Sequence, residues 1–161
     1  MASRRGERGF TLIEILIVIA LIAVLVAIAV PQLVKSKAAG NEKAVVSTMK
    51  GIVNGQGLRL SERGQFGTLQ ELSQDNYVEV GATMTPPSAQ LNLTVAFEKA
   101  GYKWEAMTPT NRQSWTMRNA PIEYTKTGKN CFFVNETGVI RQAEGNSQNA
   151  YTASVTSSPL Q

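Results

Sequence analysis

The feature that most constrains this chain is an apolar run from Phe10 to Val34, close to the N-terminus. Glu14 is the only charged residue in the run, and the next charge is at Lys35. As a helix rising about 1.5 Å per residue, the run spans roughly 37 Å, which is enough to cross the hydrocarbon core of a bilayer. The sequence therefore predicts a helix covered by lipid or by other apolar helices, followed by a separate head.

Two interpretations explain only part of this run. An ordinary membrane anchor accounts for its length and for the basic residues before it, but not for a carboxylate near its start. A secretory signal peptide also accounts for the basic start, and Ala27-Ile28-Ala29 resembles its small-x-small cleavage site. Glu14 would then lie inside the signal core, where a charge is not expected. A third interpretation uses the residues that immediately precede the run.

Residues 9–14 read Gly-Phe-Thr-Leu-Ile-Glu and follow a short leader that contains Arg4, Arg5 and Arg8. This arrangement resembles the prepilin peptidase motif of the type IV pilin family. The resemblance extends to about residue 35, including a proline at the end of the most apolar stretch.

The resemblance implies a role for individual residues. Prepilin peptidase is expected to cut after Gly9 and to methylate Phe10, the new N-terminus. Glu14 is expected to neutralise the Phe10 amine of a neighbouring subunit during assembly. Pro31 is expected to kink the helix, because proline removes a backbone donor and crowds the preceding turn.

The resemblance also implies a function and partners. The expected protein is a type IV pilus subunit that crosses the bacterial inner membrane once, with its N-terminus in the cytoplasm. It then polymerises into an extracellular filament for adhesion, twitching motility or DNA uptake. Its expected partners are other copies of the chain, prepilin peptidase and an inner-membrane assembly platform. The alternative is a pseudopilin of a type II secretion system, and a membrane-anchored binding module or enzyme comes third.

Composition argues against an enzyme. The chain has no histidine and one cysteine, Cys131, which excludes Ser-His and Cys-His triads. No metal site or cofactor is expected, and Cys131, beside two phenylalanines, is predicted to be a small buried residue in a strand. Asp75 is the only aspartate, whereas a calcium site usually needs several carboxylates. Since major pseudopilins typically bind calcium, this shortage favours the pilus over the pseudopilin.

The positive charge does not indicate nucleic acid as the main partner. The formal net charge is +4. Arg4, Arg5, Glu7 and Arg8 of the leader carry half of it, so cleavage leaves about +2 dispersed over the mature chain.

The rest of the sequence predicts an α+β fold of the type IV pilin kind. The long N-terminal helix is expected to have a hydrophobic half and an amphipathic half, packed on an antiparallel sheet of about four strands. The apolar face of the second half is marked by Val45, Met49, Ile52 and Val53, and the helix is expected to end between Gly55 and Gly64. Candidate strands are 91–97, 102–107, 114–117, 122–125, 131–135 and 139–141. The predicted organisation is a leader at 1–9, a transmembrane or filament-core helix at 10–34, an amphipathic helix and head at 35–141, and a flexible polar tail at 142–161.

Overall fold

A computed structural model describes residues 10–78, 92–145 and 156–160 of the chain. The chain divides into two compact units, Met1–Val34 and Lys35–Gln161. The first helix, α1, extends over Leu12–Arg63, so it begins in the first unit and ends in the second. Pro31 lies inside α1, and the expected kink there stays a prediction.

Helix α1 ends at a glycine that takes the left-handed conformation. Gly64 has a φ of +69°, and its amide donates to the carbonyl of Leu60 at 2.9 Å. This arrangement satisfies one of the last carbonyls of the helix, and glycine adopts it without a Cβ penalty. The helix therefore ends within the range that the sequence predicts. A short helix, α2, follows at Leu69–Gln74, and Thr68 and Glu71 form a capping box at its start.

The described residues after α2 form a six-stranded antiparallel sheet in which each strand pairs with the next along the chain. The strands are β1 Asn92–Lys99, β2 Tyr102–Pro109, β3 Thr116–Pro121, β4 Asn130–Asn135, β5 Arg141–Glu144 and β6 Ser158–Pro159. The predicted number of about four strands is thus too low. Candidate strand 139–141 overlaps β5 only at Arg141, and β6 matches none of the candidate strands.

Two segments differ from the sequence prediction. Residues 122–125, predicted as a strand, belong to a turn in which Thr125 has a φ of +67° and donates its amide to the Gly128 carbonyl. Residues 142–144 and 158–159, assigned to the flexible tail, are paired strand residues instead. Both strands are short and polar, so they lack the apolar alternation from which a strand is predicted. Of the other tail residues, 146–155 and 161 lie outside the described residues.

The core lies between the second part of α1 and one face of the sheet. Val45, Met49 and Ile52 have no exposed surface, as expected for the apolar helix face. Strand β2 alternates between inward and outward side chains, which directs Tyr102 and Trp104 into the same cluster. The predicted α+β fold, a long helix on an antiparallel sheet, is confirmed.

Cys131 lies in β4 and is fully buried. It belongs to a second, smaller cluster with Ala120, and Phe133 and Ala143 pack against it. The prediction that this thiol is a small buried residue in a strand is confirmed.

Candidate functional site

The first turn of α1 is closed by a pair of residues that cap each other. The amide and the hydroxyl of Thr11 both donate to Glu14 Oε2, each at 2.8 Å. The amide of Glu14 donates back to the Thr11 hydroxyl at 3.3 Å. This is a capping box, in which a threonine and a glutamate three residues later satisfy two donors at the start of a helix. It was not predicted from the sequence, although the Thr-x-x-Glu spacing before an apolar run is its signal.

The capping box uses only one of the two carboxylate oxygens of Glu14. Within the residues that the structure describes, Oε1 accepts no hydrogen bond. The negative charge also lies at the positive end of the helix dipole, which stabilises an anion there. Glu14 is therefore held in a fixed orientation at the helix start, with one oxygen available for a further donor.

The apolar side chains between Phe10 and Val34 are all exposed in the single chain. The exposed fraction is 86% for Phe10 and still 36% for Val34. Among the described helices, α1 alone has the length and composition to cross a membrane, and the apolar window that qualifies it is not buried at all. Because a water-soluble protein rarely exposes such a large apolar surface, this surface needs lipid or other protein to cover it.

Of the four predicted site residues, the structure describes Phe10, Glu14 and Pro31. Gly9 lies outside the described residues. Phe10 directly precedes the capping box, and Glu14 is in the first helical turn, so the two lie at the same end of α1. Pro31 lies in the helix interior and takes no part in this site. Within the described residues, no cluster of histidine, cysteine, aspartate and glutamate side chains could hold a metal ion.

A charged cluster in the head was not predicted from the sequence. Arg59 of α1 is only 3% exposed, and its Nη1 and Nη2 donate to Asp75 at 2.5 Å and to Glu71 at 3.1 Å. Arg112, in the connection between β2 and β3, donates to the same Glu71 carboxylate at 2.6 Å. The partners are far apart in sequence, so no local pattern points to this cluster. It joins α1, α2 and the sheet, and we interpret it as structural.

The charged cluster changes the pKa of Glu71. Burial raises that pKa, but the hydrogen bond from Arg112, the amide of Thr68 and the charges of Arg112 and Arg59 outweigh it. The pKa of Glu71 therefore lies below its ordinary value of 4.5.

A comparison with known protein families finds a match over the segment that contains the first turn of α1. A family model described as the prokaryotic N-terminal methylation motif matches residues 4–30. That range includes Gly9, Phe10 and Glu14, and it extends almost to Pro31.

Two known proteins are similar over longer stretches. The type IV wide pilus major component PilA4 of Thermus thermophilus is 28% identical over 114 residues, which cover 65% of this chain and 84% of that protein. The type IV major pilin protein PilA of Myxococcus xanthus is 37% identical over 60 residues, covering 37% of this chain and 27% of that protein. No solved structure matches the chain. The chain thus carries the prokaryotic N-terminal methylation motif and, in its sequence and its α+β fold, resembles the type IV pilins.

Proposed function

We propose that this chain is a structural subunit of a type IV pilus rather than an enzyme. The observation that carries the proposal is a single capped carboxylate, Glu14, at the start of an apolar helical run whose side chains are all exposed as far as Val34. A plain anchor does not need a charge at this position, because a neutral glutamine could close the same capping box. A helix that packs against copies of itself gains a partner for a neighbour's N-terminal amine.

The proposed sequence of events begins with processing. Prepilin peptidase cuts after Gly9 and methylates the new N-terminal Phe10, and no cofactor is held by the subunit itself. The subunit waits in the inner membrane, anchored once by residues 10–34 with the N-terminus on the cytoplasmic side. The assembly platform then extracts it into an extracellular filament for adhesion, twitching motility or DNA uptake.

The proposed assembly step pairs two charges that are costly in hydrocarbon. A carboxylate at the centre of a membrane helix costs about 2.5–3.5 kcal/mol on insertion scales, and less near a helix end. Cleavage creates an α-ammonium on Phe10, which carries the opposite charge. Glu14 Oε1 accepts no hydrogen bond within the described residues, so it can receive the ammonium of an adjacent copy. Pairing removes both isolated charges at once and fixes the axial offset between neighbouring helices.

A pseudopilin of a type II secretion system is the second candidate, because the same N-terminal segment would serve a short periplasmic filament. The two relatives are described as major components of type IV pili, which supports the first candidate.

The decisive experiment is electron microscopy of sheared surface fibres combined with mass spectrometry of their N-terminal peptide. We expect fibres whose subunits begin with methylated Phe10. Recovery of the protein only in the inner membrane, together with secretion components, would establish the pseudopilin instead. A mature N-terminus at Val30, directly after Ala29, would contradict both candidates.

A further inference from the structure

A small cavity lies in the head where the helix leaves its apolar part. Its volume is about 170 Å³. Lys35, Ala38 and Glu42 of α1 line one side, and Thr125, Lys129 and Asn130 of the segment that leads from β3 into β4 line the other. The cavity thus brings two lysines together that are far apart in the sequence.

The wall of the cavity is held in place by Glu42. Glu42 Oε1 accepts from the amides of Lys129 and Asn130 at 2.7 and 3.1 Å, and Oε2 accepts from Asn130 Nδ2 at 3.0 Å. The preceding residue of the helix, Asn41, donates from Nδ2 to the Thr127 carbonyl at 2.9 Å. Both Glu42 oxygens are therefore already engaged by donors, and the loop that carries Lys129 is fixed against the helix.

The two lysines of the cavity have no carboxylate partner of their own. Lys35 and Lys129 take part in none of the ion pairs among residues 10–78, 92–145 and 156–160. Counting Glu42, the lining carries a net charge of +1. Its charge is thus complementary to a small anion.

We propose that this cavity binds the phosphate of an anionic membrane lipid. The inference rests on the proposed function in one respect: residues 10–34 must span the membrane. Lys35 follows that run directly, so its ammonium then lies at the level of the lipid phosphates, where lysine side chains are favoured. Lys129 adds a second cation to the same cavity. The phosphate of a phosphatidylglycerol headgroup supplies the negative charge that can pair with the two lysines.

Binding of a lipid phosphate gives the stored subunit a second attachment to the membrane. The helix anchors the chain in the hydrocarbon, and the cavity holds the head against the surface. The headgroup leaves when the subunit enters the filament, where no lipid phosphate is at that level.

The test compares lipid selectivity in three forms of the full chain reconstituted into vesicles. Spin-labelled phosphatidylglycerol and phosphatidylcholine report the relative association constant of each lipid with the protein. The site variant is Lys35→Gln with Lys129→Gln. The matched control is Lys37→Gln with Lys43→Gln, which removes the same charge from lysines that do not line the cavity. The leader is identical in all three forms and adds a constant background.

We expect the unmodified chain to prefer phosphatidylglycerol, and the site variant to lose most of that preference. A charge-assisted hydrogen bond to a phosphate contributes about tenfold or more, so removing both lysines should lower the relative association constant for phosphatidylglycerol at least about tenfold. The control should keep most of the preference. Because Lys35 and Lys129 are exposed, the thermal unfolding of the head should not change in the site variant.

Four results would overturn the proposal. Equal losses in the site variant and the control would mean diffuse attraction rather than a cavity site. Displacement of the labelled lipid by millimolar inorganic phosphate would mean a site for the free ion. Failure of the unmodified chain to float with vesicles of either lipid would overturn both this inference and the membrane anchoring. Flotation without selectivity would overturn the cavity site alone.

Discussion

Thr11 and Glu14 cap each other at the start of α1: the Thr11 amide and hydroxyl both donate to Glu14 Oε2, each across 2.8 Å. The glutamate therefore has two separable properties. Its oxygen closes the first turn of the helix, and its charge is available to a neighbouring amine. A glutamine at this position keeps the first property and loses the second, since the capping box accepts either residue.

Replacement of Glu14 separates capping from charge. We expect both Glu14→Gln and Glu14→Ala to remain in the membrane and to reduce filament yield at least about tenfold, because each leaves the neighbour's Phe10 ammonium unpaired in hydrocarbon. Yield is measured by immunoblotting of sheared fibres, with the membrane fraction as the control for expression. Normal filaments from Glu14→Gln would show that the cap, and not the charge, is what assembly needs.

Arg59 is expected to be a major source of head stability. Arg59→Ala removes a buried guanidinium from two carboxylates and should lower the free energy of unfolding by about 3 kcal/mol. This value lies at the low end of the range for breaking a buried ion pair, because Glu71 is still paired with Arg112 and Asp75 is still paired with Arg63 in the variant. The measurement is chemical denaturation of the full chain in detergent, followed by tryptophan fluorescence.

Arg63 offers a matched control for this prediction. It pairs with the same Asp75 at 3.1 Å, but its side chain is 50% exposed. Arg63→Ala should therefore cost less than about 1 kcal/mol. Equal effects of the two substitutions would mean that burial does not set the strength of this cluster.

The charged cluster should make the head sensitive to acid. In the folded head, the pKa of Glu71 is lower than its ordinary value of 4.5. The ionised carboxylate therefore stabilises the fold at pH values above the ordinary pKa. This contribution is lost as the pH falls through the lowered pKa. We expect the melting temperature to fall between about pH 5 and about pH 3.

Glu71→Gln should be less stable than the unmodified head at neutral pH and should lose less stability across the same acid range. Glu136→Gln, which neutralises an exposed carboxylate, is the control and should follow the unmodified protein. Parallel pH profiles for all three forms would rule out Glu71 as the group responsible.

Two glycines should respond oppositely to the same substitution. A Cβ on Gly128 would overlap the hydroxyl and ring of buried Tyr102, so Gly128→Ala should destabilise the head by about 1–3 kcal/mol. A Cβ on Gly51, inside α1, would meet nothing within 4 Å, and Gly51→Ala should stabilise the helix by up to about 1 kcal/mol. Thermal melts of both variants provide the measurement. A stable Gly128→Ala head would mean that Tyr102 moves at little cost.

The predictable part of the site is local in sequence. The apolar run, the Gly-Phe-Thr segment and the spacing of Glu14 are adjacent residues, and they predict the helix and the resemblance without any tertiary information. The capping box is equally local, so the Thr-x-x-Glu pattern was sufficient to predict it, although it was not among the predictions. The cavity with Lys35 and Lys129 was not predictable, since its two sides come from segments far apart in the chain.

The sequence by itself determined the long helix, its apolar first part with Glu14 at the start, and the α+β fold class. Helical periodicity and an unbroken apolar run depend only on neighbouring residues, so they can be recognised in a single chain. Tertiary structure alone decided that Arg59 is buried between two carboxylates and that Ser158–Pro159 completes the sheet. A charged residue is buried, and a short polar segment becomes a strand, only when distant residues supply the ion pairs and hydrogen bonds that compensate for lost water.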